Sequence, residues 1–333
     1  MVQASSTLLP ALLVGAFALL SHWARKNKPA EITLFVVLVF ASLLVIALGA
    51  LLIVAGFVQT VPGDIISQSA FLFVAISVTL AGLVGLALCT PPLWSIVGRS
   101  ERSFWSNPPT FFALWLFVMV LMLAVVGFVT VLNTEAAALA SSLGGGVSPA
   151  DVAAGQLPML IVAVLGVGLF VRRSPREVVE RLGYGSLRAR DLAVCALFIV
   201  GALALSVATD ALFAALQPDL YDRVGELSAQ LFSTQGMSLP SVVLLGLAIG
   251  LGAALGEESL FRGAVQPVLG ILPTSLLFAS LHVQYGPSVS LGYVLLLSVG
   301  LGVLRKRINT SAAFVSHAGY NFATVVLGYL LGG

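Results

Sequence analysis

Long hydrophobic runs, separated by short polar stretches, dominate the sequence from one end to the other. Because lipid offers no hydrogen-bond partners to an exposed backbone, such runs are expected to be helical. We predict an all-α fold, a polytopic transmembrane helix bundle of about ten spans with a range of about eight to ten. The ten runs lie at residues 7–23, 32–58, 70–91, 110–132, 157–171, 191–214, 238–258, 271–285, 288–304 and 311–331.

The composition agrees with this pattern. Hydrophobic residues make up 59% of the 333 residues and charged residues only 9%, which excludes an ordinary soluble domain. The two cysteines, Cys89 and Cys195, both lie in apolar runs and no CxxC pair occurs. We therefore expect buried, inert thiols rather than a disulfide or a cysteine metal site.

The basic residues are concentrated in loops that alternate along the chain. With ten spans, the four basic loops all lie on one face, which the positive-inside rule identifies as cytoplasmic. We therefore expect both termini outside. No targeting segment points elsewhere, so the expected location is the lipid bilayer of a prokaryotic cell membrane. The basic clusters have no aromatic interleaving, so we expect no nucleic-acid partner. These loops hold Arg25, Lys26, Lys28, Arg99, Arg102, Arg172, Arg173, Arg176, Arg181, Arg188, Arg190, Arg305, Lys306 and Arg307.

The turn-prone segment 141–150, SSLGGGVSPA, divides the chain into two regions. Residues 1–150 are predicted to form an accessory region of about four spans. Residues 155–333 are predicted to be the working core, with the C-terminal six spans. Within the second region, Gly246 and Gly250 have the GxxxG spacing of closely packed membrane helices.

Ionisable residues are rare in the apolar runs, except near the C-terminus. Glu257, Glu258, Arg262, His282 and His317 lie inside or beside such runs, where each costs about 2.5–3.5 kcal/mol on insertion scales. On a helix Glu258 and Arg262 are i,i+4 and can pair, which leaves Glu257 available for chemistry. The alternative is a charged helix end at the membrane interface.

Two further motifs follow. Phe278 lies one turn before His282, and His317 and Asn321 are i,i+4 on one helix face. At 1.5 Å per residue, Glu257, His282 and His317 lie about 10–15 Å below the cytoplasmic edges of their helices. One cavity opening toward the cytoplasm would explain this, although each histidine could instead form an ordinary interhelical hydrogen bond.

A carboxylate and imidazoles around one water suit hydrolysis. Glu257 can take a proton from water and a histidine can assist, while the Asn321 amide can donate to an oxyanion. Glu257, His282 and His317 are also a possible zinc ligand set, but HExxH is absent. No serine nucleophile with a recognisable base is evident, and residues 183–186, GYGS, are predicted to be a turn.

The ordered motifs EExxxR, FxxxH and HxxxN resemble the CPBP family (CAAX protease and bacteriocin-processing, also called Abi), which includes the Rce1-type prenyl proteases. The resemblance covers residues 155–331 and implies an intramembrane endopeptidase domain. It assigns Glu257 and His282 to water activation and His317 and Asn321 to the oxyanion. Glu258, Arg262 and Phe278 would support the site, and the resemblance leaves both a zinc and a metal-free mechanism open.

The expected partner is a membrane protein or membrane peptide substrate, lipidated or not. Two other classes remain alternatives. One is a non-catalytic membrane scaffold or bacteriocin-immunity-type protein, in which the motifs are structural. The other is a transporter, because intramembrane ionisable groups also mark ion paths.

Overall fold

The computed structural model describes residues 2–58, 67–90, 107–133, 149–232 and 234–331. Within these ranges the chain is helical apart from turns and one isolated bridge between Leu169 and Arg173. The predicted all-α helix bundle is confirmed. The chain divides into two compact units, one of Phe17–Glu135 and the other of Met1–Ala16 with Ala136–Gly333.

The N-terminal helices are α1 (Val2–Ala24), α2 (Lys28–Phe57), α3 (Gln68–Leu88) and α4 (Pro108–Asn133). Helix α2 begins after Asn27, whose side chain accepts a hydrogen bond from the Ala30 N–H at 3.0 Å and so satisfies one of the free amides of the first turn. Trp115 Nε1 donates to Ser42 Oγ at 3.2 Å, which links α4 to α2 within the Phe17–Glu135 unit.

The second unit contains the remaining helices and the predicted working core. Its elements are α5 (Pro149–Gly166), α6 (Pro175–Leu182), α7 (Ala189–Leu216), α8 (Pro218–Phe232), α9 (Leu239–Glu257), a π-helical segment (Glu258–Val265), α10 (Gln266–Leu269), α11 (Ile271–Ser280), a 3₁₀ turn (Val283–Tyr285), α12 (Val289–Arg307) and α13 (Thr310–Leu330).

Each of the ten predicted apolar runs overlaps one of these helices. In the part of the chain that the structure describes, seven helices are long and apolar enough to cross a membrane. Helix α11 and the apolar part of α5, Ala154–Gly166, are shorter, and α13 carries polar residues at its centre. The number of spans and the outside placement of both termini stay predictions. Arg99, Arg102 and most of segment 141–150 lie outside the described residues.

Large apolar side chains point outward along the long helices. Leu197 is 73% exposed, Val207 71% and Leu244 60%. A soluble protein rarely exposes so much apolar surface. The outward faces therefore fit contact with lipid tails, whereas Glu258, Arg262 and His317 are buried inside the bundle.

Small residues let α9 and α13 approach closely, as the GxxxG spacing predicts. A Cβ added to Gly250 would lie 2.6 Å from the Ala318 carbonyl oxygen, and one added to Gly246 would lie 3.2 Å from Phe322 Cδ2. Only glycine permits this approach at residue 250, because the obstacle is backbone. The contact brings the helix that carries His317 against the helix that ends at Glu257.

Helix α9 continues without a break into the π-helical segment. At its end the Gln266 N–H donates to the Phe261 carbonyl, the five-residue spacing of a π-helix. Such segments are rare and are often found at functional sites. Here the π-helical segment contains most of the EExxxR motif.

The two cysteines are free and buried, as predicted. Cys195 Sγ lies 3.5 Å from the Ala312 carbonyl, so this thiol packs α7 against α13. Its structural role is consistent with an inert thiol.

Candidate active site

Glu258 and Arg262 form the predicted i,i+4 pair inside the π-helical segment. Arg262 Nε lies 3.1 Å from Glu258 Oε2, and the two side chains are 1% and 0% exposed. The contact is a close charge pair rather than an aligned hydrogen bond, since Glu258 Oε2 has no hydrogen-bond partner among the described residues. Arg262 also donates to Ser298 on α12, to the carbonyl at 3.1 Å and to Oγ at 3.0 Å.

His317 joins this pair from α13. Its Nδ1 lies 2.8 Å from Glu258 Oε1, and its Nε2 lies 3.9 Å from Glu257 Oε2. With the Glu258 carboxylate ionised, Nδ1 is the donor, because a carboxylate can only accept. Each oxygen of Glu258 thus has a close neighbour: Arg262 Nε lies near Oε2, and His317 Nδ1 bonds to Oε1.

Glu257 differs from Glu258 in how closely charged groups approach its carboxylate: His317 Nε2 lies 3.9 Å from Glu257 Oε2, whereas Glu258 has contacts of 3.1 and 2.8 Å. Glu257 Oε2 is buried and has no hydrogen-bond partner within the described part of the chain. The side chain as a whole is 12% exposed. A buried acceptor without a partner costs about 1–3 kcal/mol, so a hydrogen-bond donor placed at this oxygen would be stabilising.

His282 lies just beyond α11 rather than inside a helix. Its Nδ1 is 2.8 Å from the Phe278 carbonyl, which lies in the last turn of α11 and also accepts the Leu281 N–H at 3.3 Å. Because a carbonyl only accepts, Nδ1 carries the proton and the neutral ring has its lone pair on Nε2. This nitrogen is the one that can accept a proton, and the His282 side chain is half-buried.

Phe278 lies between the other groups of the site. Its ring centroid is 4.5 Å from that of His282 and 6.0 Å from that of His317. The Arg262 guanidinium lies 4.7 Å above the same ring, within the range of a cation–π contact. The ring therefore contacts all three motifs, with Asn321 excepted.

Asn321 lies one turn beyond His317 on α13 and is half-buried. No hydrogen bond joins it to another side chain in the described ranges. The structure thus brings Glu257, Glu258, Arg262 and His317 into one cluster and connects His282 to it through Phe278. It shows no hydrogen bond between Asn321 and any of them in the described ranges.

The donor geometry does not favour a metal site. Among the residues that the structure describes, no three His, Cys, Asp or Glu side chains are grouped so that they could hold a metal ion. Glu257, His282 and His317 therefore do not form a ligand set in this arrangement, and zinc binding stays a prediction.

Three polar contacts around the cluster were not predicted. Ser298 is fully buried on α12 and accepts from Arg262; it is a polar residue in an apolar run, which was the available signal. Tyr184 Oη lies 2.8 Å from Ser259 Oγ, and Arg181 Nη1 donates to the Gly263 carbonyl at 2.8 Å. The turn at residues 183–186 therefore contacts the π-helical segment directly.

Burial affects this tyrosine as well. Desolvation raises the pKa of Tyr184 and the nearby carboxylate of Glu258 acts in the same direction, while the hydrogen bond with Ser259 opposes them. A phenol is protonated at neutral pH even without such a shift, so the Tyr184 hydroxyl can donate to Ser259.

Comparisons with known proteins show which part of the chain resembles a known family. Residues 239–323 match the family described as type II CAAX prenyl endopeptidase Rce1-like. A curated Bacillus subtilis (strain 168) protein, the uncharacterized protein YpbD, is 31% identical over 127 residues, 38% of this chain and 61% of that protein. The chain thus covers less than two thirds of this relative, and no solved structure gives a significant match.

All three motifs, at residues 257–262, 278–282 and 317–321, lie inside the matched segment. The predicted resemblance is therefore confirmed for this part of the chain. Together with the seven apolar helices, the match identifies the chain as an integral membrane protein that carries an Rce1-like segment.

Proposed function

We propose that the protein is an intramembrane endopeptidase that hydrolyses peptide bonds of membrane-associated or lipidated substrates. The observation that carries the proposal is the difference between the two adjacent carboxylates. Glu258 is held by Arg262 at 3.1 Å and by His317 at 2.8 Å, whereas His317 Nε2 lies 3.9 Å from Glu257 Oε2, which accepts no hydrogen bond in the described ranges. This is the arrangement that a general base needs beside a structural carboxylate.

In the proposed reaction Glu257 accepts a proton from water while the water oxygen bonds to the substrate carbonyl carbon. The carbonyl π electrons move to oxygen and give a tetrahedral oxyanion. The C–N bond then breaks and the proton held by Glu257 passes to the leaving nitrogen, which yields a carboxylic acid and an amine. His282 assists at the water through Nε2, the nitrogen that its bond to Phe278 leaves as an acceptor.

His317 and Asn321 are proposed to stabilise the oxyanion, Asn321 through its amide N–H. His317 Nδ1 already faces Glu258, so His317 can donate to an oxyanion from Nε2 only as an imidazolium. Charge counting is compatible with this form. Glu257, Glu258, Arg262 and an imidazolium at His317 sum to zero net charge.

The substrate enters from the membrane or its cytoplasmic surface in this proposal. The outward apolar faces and the Rce1-like segment support a membrane-associated peptide as the substrate class. The cytoplasmic opening of the cavity rests on the positive-inside rule.

The test uses purified full-length protein and a library of membrane peptides. Wild type should cleave, and Glu257→Gln should lower the rate by about 10²–10⁴-fold because it removes the base. His282→Ala should lower the rate as well. Glu226→Gln is the matched control, since Glu226 is exposed on α8 and should leave the rate unchanged.

Equal cleavage by Glu257→Gln and wild type would refute the assigned base. Loss of cleavage in the presence of a chelator, with recovery on adding zinc, would show a metal mechanism instead. If wild type cleaves no peptide and Glu257→Gln complements a deletion as well as wild type does, a non-catalytic scaffold is the better explanation.

A further inference from the structure

Segment 181–186 contacts both of the elements that carry the site, the π-helical segment and α13. It begins in the last turn of α6, continues through Gly183, whose φ of +80° is the left-handed end of that helix, and runs toward α7. On one side it contacts the π-helical segment and on the other it contacts the start of α13. Neither contact is needed merely to link α6 to α7.

Two hydrogen bonds join segment 181–186 to the π-helical segment. Tyr184 Oη lies 2.8 Å from Ser259 Oγ, and Arg181 Nη1 donates to the Gly263 carbonyl at 2.8 Å. The two contacts lie on either side of Arg262. Ser259 directly follows Glu257 and Glu258, so the Tyr184 contact is next to both carboxylates.

Four hydrogen bonds join segment 181–186 to the start of α13. Thr310, which is fully buried, donates its N–H to the Gly183 carbonyl at 2.9 Å and its Oγ1 to the Leu182 carbonyl at 2.6 Å. The Gly185 N–H donates to Ser311 Oγ at 3.0 Å, and Asn309 Nδ2 donates to the Ser186 carbonyl at 3.1 Å. The start of α13 is therefore fixed to this segment.

The relative position of these two elements decides the geometry of the site. His317 lies seven residues after Thr310, about 10 Å along a rigid helix. Its 2.8 Å contact with Glu258 tolerates about 0.5 Å. A slide of α13 by the rise of one residue, about 1.5 Å, exceeds that tolerance.

We propose that segment 181–186 sets the register between the π-helical segment and α13, and that Tyr184 is a positioning residue for the Glu257–Glu258 pair. The Tyr184 hydroxyl acts through Ser259 and does not touch the substrate. The catalytic meaning of this inference rests on the proposed function, but the register itself does not.

The first experiment is hydrogen exchange followed by mass spectrometry on full-length protein in detergent. Tyr184→Phe keeps the ring and removes only the hydroxyl. Amides of residues 258–265 should exchange about two- to tenfold faster, the equivalent of one neutral hydrogen bond. Tyr221→Phe is the matched control, because its hydroxyl bonds to Asp210 at 3.2 Å, away from the π-helical segment.

A double-mutant cycle tests whether the two hydroxyls act through each other. Ser259→Ala alone should accelerate exchange as Tyr184→Phe does, and the double variant should be no faster than either single one. Additive effects, or exchange at 258–265 in Tyr184→Phe equal to that in Tyr221→Phe, would overturn the proposal.

The catalytic readout separates this inference from the proposed function. In an active preparation, Tyr184→Phe should lower kcat about two- to tenfold with KM unchanged, because positioning acts on the transition state. An unchanged kcat, or an effect on KM alone, would overturn the positioning role. If wild type cleaves nothing and Glu257→Gln complements a deletion as well as wild type does, the proposed function fails while the exchange result still decides the register.

Discussion

Replacing Arg262 by alanine tests the buried charge cluster most directly. The variant removes the guanidinium beside Glu258, two hydrogen bonds to Ser298 and the contact with the Phe278 ring. It leaves Glu258, which is fully buried, with His317 as its remaining partner. The perturbation is thus the loss of one half of an ion pair that has no access to water.

The expected loss is large for a single residue. Removing one partner of a buried pair costs about 3–5 kcal/mol, because the other charge stays buried. For a unit of about 200 residues each kcal/mol lowers Tm by about 2–4 °C, so the expected shift is roughly 6–20 °C. The pair Arg176–Glu180 provides the contrast, since it has the same four-residue spacing with side chains 90% and 63% exposed.

Thermal unfolding in detergent, followed by circular dichroism, measures the difference. Arg176→Ala should leave Tm almost unchanged, because exposed pairs contribute little. The double variant Glu258→Gln/Arg262→Met should recover much of the loss, since Gln can still accept from His317 and no unpaired charge remains. Equal Tm values for Arg262→Ala and Arg176→Ala would refute the buried pair.

Two further predictions concern helix packing and pH. Gly250→Ala should lower stability by about 1–3 kcal/mol, since its Cβ would meet the Ala318 carbonyl. Gly201→Ala, where nothing lies within 4 Å of the added Cβ, should be neutral or stabilising. Equal Tm values for the two variants would contradict the close approach of α9 and α13. Hydrogen bonds from the Ser174 N–H and Oγ lower the pKa of Glu177, so this stabilisation is present above the ordinary pKa of glutamate and is lost as the pH falls through the lowered value. Ser174→Ala should therefore cost more Tm at about pH 6 than at about pH 3, and an equal cost at both would contradict the role of the capping box.

The helices were the most predictable part of this protein. Their runs are long and apolar, and a backbone in lipid has few alternatives to a helix. The pairing of Glu258 with Arg262 was predictable as well, because their i,i+4 spacing survives in the π-helical segment. The Gly250 contact followed from GxxxG in the same way.

Other features depend on contacts between distant parts of the chain. That His317 would bind Glu258 more closely than Glu257 could not be read from spacing, because the two elements are 59 residues apart. The helix containing Phe278 ends before His282, and the histidine side chain turns back to the Phe278 carbonyl, a local contact that the apolar run does not predict. The role of Tyr184 was hidden, since a GYGS sequence in a basic loop is typical of an ordinary turn.

The aromatic ring of Phe278 has a consequence for how this protein responds to salt. The ring packs beside the guanidinium and both imidazoles and is itself only 1% exposed, so solvent has little access to this side of the charged groups. Two charges 4 Å apart interact by about 1 kcal/mol in bulk water but by about 4 kcal/mol at an effective dielectric constant near 20. Added salt screens exposed pairs and reaches buried ones much less. Ionic strength should therefore weaken the surface pair Arg176–Glu180 and leave the Glu258–Arg262 pair almost unchanged.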